Sequence, residues 1–102
     1  MMLTFGVVEK MMIPQERMQR AVDALRRMGA RRVLLFGSCL EAPETAGDVD
    51  LAVEGVPLDR LLDADVTVQD ILQVPVDLVS REDNQAFFEL VSKRGRVLFE
   101  KS

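Results

Sequence analysis

The stretch of residues 34–53, LLFGSCLEAPETAGDVDLAV, restricts the fold of this chain more than any other part of the sequence. It begins as an apolar run, is broken by Gly37 and Ser38, and becomes apolar again around Asp48 and Asp50. Side chains alternate between the two faces of a strand, so these two acids lie on one face, about 6.6 Å apart along the chain. The opposite, apolar face can pack on a core while the acidic face stays open to solvent or to an ion.

This pattern predicts a divalent-cation and nucleotide site. Two neighbouring carboxylates repel each other, and a cation between them relieves the repulsion. A Gly-Ser turn that opens a helix directs backbone N–H groups toward an incoming phosphate. Two plainer explanations stay open: an acidic end of a strand, and a Ser38 whose only role is to cap a short helix together with Glu41 in an S-x-x-E capping box.

Apolar spacing, with the glycines and prolines, predicts alternating helices and strands. They are a helix over 14–28, strand Arg32–Phe36 buried on both faces, a short helix from Ser38, strand Val49–Val53, a helix from Pro57 to about Leu72, strand Val74–Val79, a helix capped within Ser80–Asp83 whose apolar residues include Ala86, Phe87, Leu90 and Val91, and strand Val97–Phe99. This order predicts an α/β (α+β) fold, a small mixed sheet flanked by helices. Residues 13–102 are expected to form a single domain, with 1–12 a frayed extension or an extra strand.

Asp77 interrupts the apolar run VPVDLV. A buried, unpaired carboxylate is very costly, so this side chain must be exposed, paired or near a metal. The residues alone leave three readings open: an exposed strand acid, an acid paired with Arg32 or Arg81, or a third carboxylate at the cation site.

Composition excludes several classes of function. The 102-residue chain has no histidine and one cysteine, which excludes Cys/His zinc sites, Ser-His-Asp and Cys-His catalysis, and an intrachain disulfide. A net charge of −4 argues against general nucleic-acid binding. No apolar run approaches the ~20 residues of a membrane span, and a cytoplasmic location is expected. Self-association into a homo-oligomer stays open.

Gly37-Ser38, the loop after it, and Asp48-Val49-Asp50-Leu51 together resemble the G-S…D-x-D signature of the polymerase-β-type nucleotidyltransferases. The small size is similar to that of their minimal nucleotidyltransferase domain, the antitoxin partner of HEPN-domain proteins. The resemblance covers about 13–100. It implies the nucleotidyltransferase fold with the second and third strands adjacent, one or two Mg²⁺ ions held by Asp48, Asp50 and Asp77, and a nucleoside triphosphate bound at Gly37 and Ser38.

The resemblance further implies transfer of a nucleoside monophosphate, AMP from ATP in the first instance, to a hydroxyl of a small helical HEPN-type protein. Two alternatives remain. Cys39 stands where the family usually carries arginine, which favours a catalytically degenerate module that neutralises its partner by binding alone. A nucleotide sensor without turnover is the other. The basic residues that could compensate for the missing arginine are Arg81, Lys93, Arg94 and Arg96.

Overall fold

The computed structural model describes residues 13–37 and 47–101. In this part of the chain there are three α-helices and four strands. They are α1 (Gln15–Arg27), β1 (Arg32–Phe36), β2 (Val49–Glu54), α2 (Leu61–Leu72, after a short 3₁₀ helix Leu58–Arg60), β3 (Val76–Ser80), α3 (Gln85–Ser92) and β4 (Arg96–Glu100). The N-terminal extension expected over 1–12 and the short helix expected from Ser38 lie outside the described residues.

Helix α1 confirms the helix predicted over 14–28, to within one residue at each end. Pro14 immediately precedes it, and the Pro14 carbonyl accepts a hydrogen bond from the Met18 N–H. Its buried residues recur at helical spacing and face the sheet. The chain then turns at Gly29, whose φ of +110° suits glycine better than any residue with a side chain.

The four strands form one sheet in the order β3-β2-β1-β4. β1 pairs antiparallel with β2 and with β4, and β2 runs parallel to β3. The mixed sheet flanked by helices is therefore confirmed, as is the expected adjacency of the second and third strands. α2 connects the two parallel strands, as a crossover between parallel neighbours requires.

Buried side chains cover both faces of this sheet. Val33 and Leu35 belong to a large apolar cluster that includes residues of α1 and α2. Leu34, between them in β1, packs in a second cluster with Ala52 and Phe88, so α3 covers the opposite face. The prediction that β1 is buried on both faces is confirmed.

The start and the buried face of α3 were predicted wrongly. The helix is capped by Asn84, whose side-chain oxygen accepts a hydrogen bond from the Phe87 N–H, and not within 80–83 by a serine cap. Ser80 is instead the buried last residue of β3, because the Arg81 N–H donates to the Val53 carbonyl and extends the ladder. Phe88 is the buried residue of the helix, whereas Leu90 is 60% exposed.

The third strand begins at Val76, two residues later than predicted. Pro75, which cannot donate a hydrogen bond, lies just before it and accepts one from the Val49 N–H through its carbonyl. Among the helices within 13–37 and 47–101, none has the length and apolar character needed to cross a membrane.

Candidate active site

Three segments that are distant in the sequence meet at one end of the sheet. β1 ends at Phe36, and Gly37 follows it. Because β2 is antiparallel to β1, it begins at this same end, directly after Asp48. β3 is parallel to β2 and begins here too. The residues that the sequence placed in a nucleotide site therefore share one edge of the fold, apart from Ser38, which lies outside the described residues.

Asp50 and Asp77 are direct register partners across the parallel pair of β2 and β3. Partner residues on neighbouring strands project to the same face, so the two carboxylates lie side by side. Phe36 is the register partner of Asp50 on the other side, in β1. The expectation that the third acid lies beside the D-x-D pair is supported by this register, while the catalytic and metal-binding roles of the three acids remain predictions.

The surroundings of Asp50 disfavour the ionised form of its carboxyl group. The pKa of Asp50 is raised above 3.8, first by its burial, then by the negative charge of Asp48, and then by that of Asp77. The structure gives these acids no ion-pair partner within 13–37 and 47–101. A cation placed here would relieve the repulsion.

Asp77 is exposed, and within residues 13–37 and 47–101 it forms no ion pair with arginine, so two of its three readings stay open: an exposed strand acid and a third carboxylate at the cation site. Arg32 lies 3.0 Å from Glu54 Oε1, and Arg81 lies 3.4 Å from Glu89 and 3.8 Å from Glu54. Both arginines are thus engaged by glutamates. The pairing expected as one alternative does not occur, and Asp77 is free to face solvent or a ligand.

Gly37 lies against the carboxylate of Asp50. Its φ is +77°, and a Cβ atom built there would overlap Asp50 Oδ2. Glycine is required here both by the backbone conformation and by the space that the carboxylate occupies. Gly37, in the turn after β1, is therefore in direct contact with the carboxylate of Asp50.

Asp65 is an acid of this neighbourhood that the sequence-based prediction missed. It lies in α2, its Oδ1 atom is buried, and the structure gives that atom no hydrogen-bond partner among the described residues. The pKa of Asp65 is raised by burial and then by the negative charge of Asp77. One signal was available: Asp65 directly follows Ala64 and precedes Val68 by three residues, so it lies beside the apolar stripe of its helix.

The group of acids does not supply a complete set of protein ligands for a metal ion. Among residues 13–37 and 47–101 there is no group of three or more aspartate, glutamate, cysteine or histidine side chains arranged to hold a metal ion. Mg²⁺ is commonly bound by one or two carboxylates together with substrate phosphates. The Asp50–Asp77 pair fits that kind of site, in which the substrate supplies the remaining ligands.

Of the four basic residues considered as compensating charge, Arg81 and Arg96 adjoin or begin strands, and they lie at opposite ends of the sheet. Arg81 follows the last residue of β3 and so lies at the end remote from Asp77. Arg96 opens β4 and pairs with Leu35, near the end of β1 that carries Gly37. Of the two, only Arg96 is placed at the acidic end.

Comparisons with known proteins agree with this arrangement at the level of the fold. No family model and no curated protein matches the sequence. Among solved structures, a chain in the crystal structure of a mutant of the toxin–antitoxin MntA-HpeT matches with a TM-score of 0.69 and 17% sequence identity, over 88% of this chain and 75% of that chain. The chain has a nucleotidyltransferase-like fold. In this fold the end of the sheet that carries the acids and Gly37 is the candidate active site.

Proposed function

We propose that this protein is a Mg²⁺-dependent nucleotidyltransferase that moves a nucleoside monophosphate, AMP from ATP in the first instance, to a hydroxyl of a protein partner, and acts as the antitoxin of a HEPN-type toxin. The observation that carries the proposal is the register pairing of Asp50 with Asp77 at the end of the sheet where Gly37 contacts Asp50. The nucleotidyltransferase-like fold and the toxin–antitoxin complex among its structural neighbours support it.

In this proposal the acids bind the metal ion and the turn at Gly37 binds the phosphates. Asp48, Asp50 and Asp77, at one edge of the sheet, would hold Mg²⁺, which would neutralise charge on the triphosphate. Gly37, which lacks a side chain, lets the backbone approach the phosphates, and the N–H groups of the turn that begins at Ser38 bind them. Most of the rate enhancement then comes from positioning and charge neutralisation, as in other phosphoryl transfers.

The exposed Asp77 is the group best placed to assist the nucleophile. The acceptor oxygen attacks the α-phosphorus and forms a new P–O bond, while the bond to the leaving pyrophosphate breaks in line with it. Asp77 accepts the hydroxyl proton, which a carboxylate open to solvent can then release. Burial first, and then the negative charges of Asp48 and Asp77, raise the pKa of the neighbouring Asp50, and a cation held here would offset the charge repulsion.

The proposal is tested by incubating the protein with ATP, Mg²⁺ and a co-expressed HEPN-type partner, then measuring the intact mass of both proteins. One adenylate increment on the partner, with release of pyrophosphate, is the expected result. A stable complex with neither mass change nor pyrophosphate would contradict the enzyme and leave the binding module as the function.

A second candidate, neutralisation by binding alone, is favoured by an apolar surface on α2. Leu58, in the short 3₁₀ helix before α2, and Leu62 and Val66, in α2, recur every four residues and are 51%, 73% and 58% exposed, so this segment carries an exposed apolar stripe. Contiguous exposed apolar surface of this kind marks interaction sites. Exposed acids lie on the same segment: Asp59, Asp63 and Asp70. The matching partner surface is an apolar helix face with a basic rim.

Leu62→Asp is expected to weaken partner binding by at least about tenfold, because it places a charge at the most exposed position of the apolar stripe. Isothermal titration with the HEPN-type partner measures the effect. Leu90→Asp is the matched control, since Leu90 is 60% exposed but lies on α3. Equal losses in the two variants would show that the stripe on α2 is not the partner surface.

A further inference from the structure

A concave surface lies at the end of the sheet opposite the carboxylates. The C-terminal end of α1, the residues just before β1 and the end of β4 surround a cleft of about 740 Å³. We call it the cationic cleft. Its charged lining consists of the basic side chains Arg26, Arg27, Arg31 and Lys101 and the acidic side chains Asp23 and Glu100. A net positive lining is unusual in a chain of charge −4.

The cationic cleft is separate from the candidate active site. β1 runs from Arg32, beside the cleft, to Phe36, the register partner of Asp50. Four residue steps along a strand span about 13 Å. A small ligand in the cleft therefore does not contact the acids at the other end, and the inference below does not rest on the proposed function.

Two of the cleft arginines are held in place by their neighbours. The Arg26 guanidinium lies 4.7 Å from the centroid of the Phe99 ring, a cation–π contact, and 3.3 Å from Asp23 Oδ1. Arg31 lies 3.4 Å from Glu54 Oε2. Burial opposes ionisation of Glu54, but hydrogen bonds from Arg32 and then Arg31 outweigh it and lower the pKa of Glu54, so this anchor stays charged at neutral pH.

The other two basic side chains are available to a ligand. Within 13–37 and 47–101, Arg27 and Lys101 have no ion-pair partner, and both are exposed. The helix dipole explains basic residues in the last turn of α1, where Arg26 and Arg27 lie. It does not explain Arg31 and Lys101, which reach the same cleft from other segments.

We propose that the cationic cleft binds an oligophosphate group, such as inorganic triphosphate or the phosphate chain of a nucleotide. Guanidinium groups recognise phosphate oxygens through paired N–H donors, and three arginines converge here with one lysine. Several cations around one open cleft match a ligand that carries several negative charges. The volume lies within the range of small-molecule sites.

The test is a titration of the full chain with inorganic triphosphate, without Mg²⁺ and in the presence of EDTA, followed by amide NMR and calorimetry. We expect the largest shifts at Gly29, Ala30 and Lys101, which line or adjoin the cleft. The double variant Arg27→Gln/Lys101→Gln should lose at least about tenfold in affinity, as expected when charge-assisted hydrogen bonds are removed. Parallel titrations with ATP distinguish the source: equal affinity means that the phosphates alone are recognised, and tighter binding of ATP means that the nucleoside contributes.

The control is Arg17→Gln/Arg20→Gln, which removes the same charge from exposed positions on α1 outside the cleft. It should keep most of the affinity. An equal loss in the control would reduce the effect to general charge attraction and overturn the proposal. Triphosphate shifts confined to Gly37 and Asp50 would overturn it as well, by placing the ligand at the other end of the sheet. Melting temperatures of both variants, expected to match the parent, exclude unfolding as the cause.

Discussion

Asp50→Asn is expected to lower nucleotidyl transfer by roughly 10²–10³-fold, the loss typical of removing one group that stabilises charge in a transition state. The same substitution is expected to make the protein more stable. Asp50 is partly buried, is close to Asp48 and Asp77, and carries a raised pKa for those reasons. Removing its charge relieves the repulsion, and the gain is roughly 0.5–1 kcal/mol because solvent screens a partly buried group.

The sign of the pH dependence follows from the raised pKa of Asp50. Between 3.8 and its value in the fold, the folded chain holds a proton that the unfolded chain has released. The contribution of Asp50 to stability therefore falls as pH rises through this window and stays low above it. The variant's advantage in melting temperature should be largest near neutral pH and should vanish below about pH 3.8.

Asp83→Asn is the matched control, an identical chemical change at an exposed position between β3 and α3. It should leave transfer activity unchanged and should not reproduce the stabilisation expected of Asp50→Asn. Activity is measured as pyrophosphate release with the HEPN-type partner, ATP and Mg²⁺, and stability by thermal unfolding from pH 3 to 8. Full activity in Asp50→Asn would remove Asp50 from the mechanism. A stability difference that grows toward low pH would contradict the electrostatic account of the site.

The parts of this fold that periodicity specifies strongly were predictable from the sequence. α1 and β1 carry uninterrupted apolar patterns, and their predicted bounds agree with the structure to within a residue. The D-x-D acids were singled out because they follow the Gly37-Ser38 turn and, being two residues apart, are expected on one face of a strand. The pairing of Asp50 with Asp77 was expected only from the resemblance, since strand order depends on contacts between segments that a local pattern does not encode.

The errors arose where several residues satisfied the same local rule. Ser80 and Asn84 can both cap a helix, and the choice was decided by the ladder bond that keeps Ser80 in β3. Asp65 was overlooked because an acid beside an apolar helix stripe ordinarily reaches solvent, whereas here its Oδ1 atom is buried near Asp77. In both cases a contact between segments distant in the sequence determined the structure, and a pattern of neighbouring residues does not encode such a contact.

Phe88→Ala is expected to have the largest effect on stability of any single change in α3, about 3–5 kcal/mol. Phe88 is fully buried, packs with Leu34 and Ala52, and has the Arg32 guanidinium 5.1 Å from its ring centroid. It is the buried residue of an eight-residue helix, and a helix this short is not stable without such packing. Since a domain of this size has roughly 5–15 kcal/mol in total, the loss is a large fraction of its stability.

Phe87→Ala tests which phenylalanine lies on the buried face of α3. The sequence pattern predicted a face that includes Phe87, whereas the structure buries Phe88. The Phe87 ring is only partly buried and meets Phe36 edge-on at 5.8 Å between centroids, so its truncation should cost about 1–2 kcal/mol. Denaturant unfolding measures both losses, and hydrogen exchange should show the α3 amides losing protection in Phe88→Ala before those of α1. If the two variants lost equal stability, the buried face of α3 would be assigned wrongly. Ala52 lies two residues after Asp50 in β2 and on the same face of the sheet. That face would then lack the cover that Phe88 provides over Ala52.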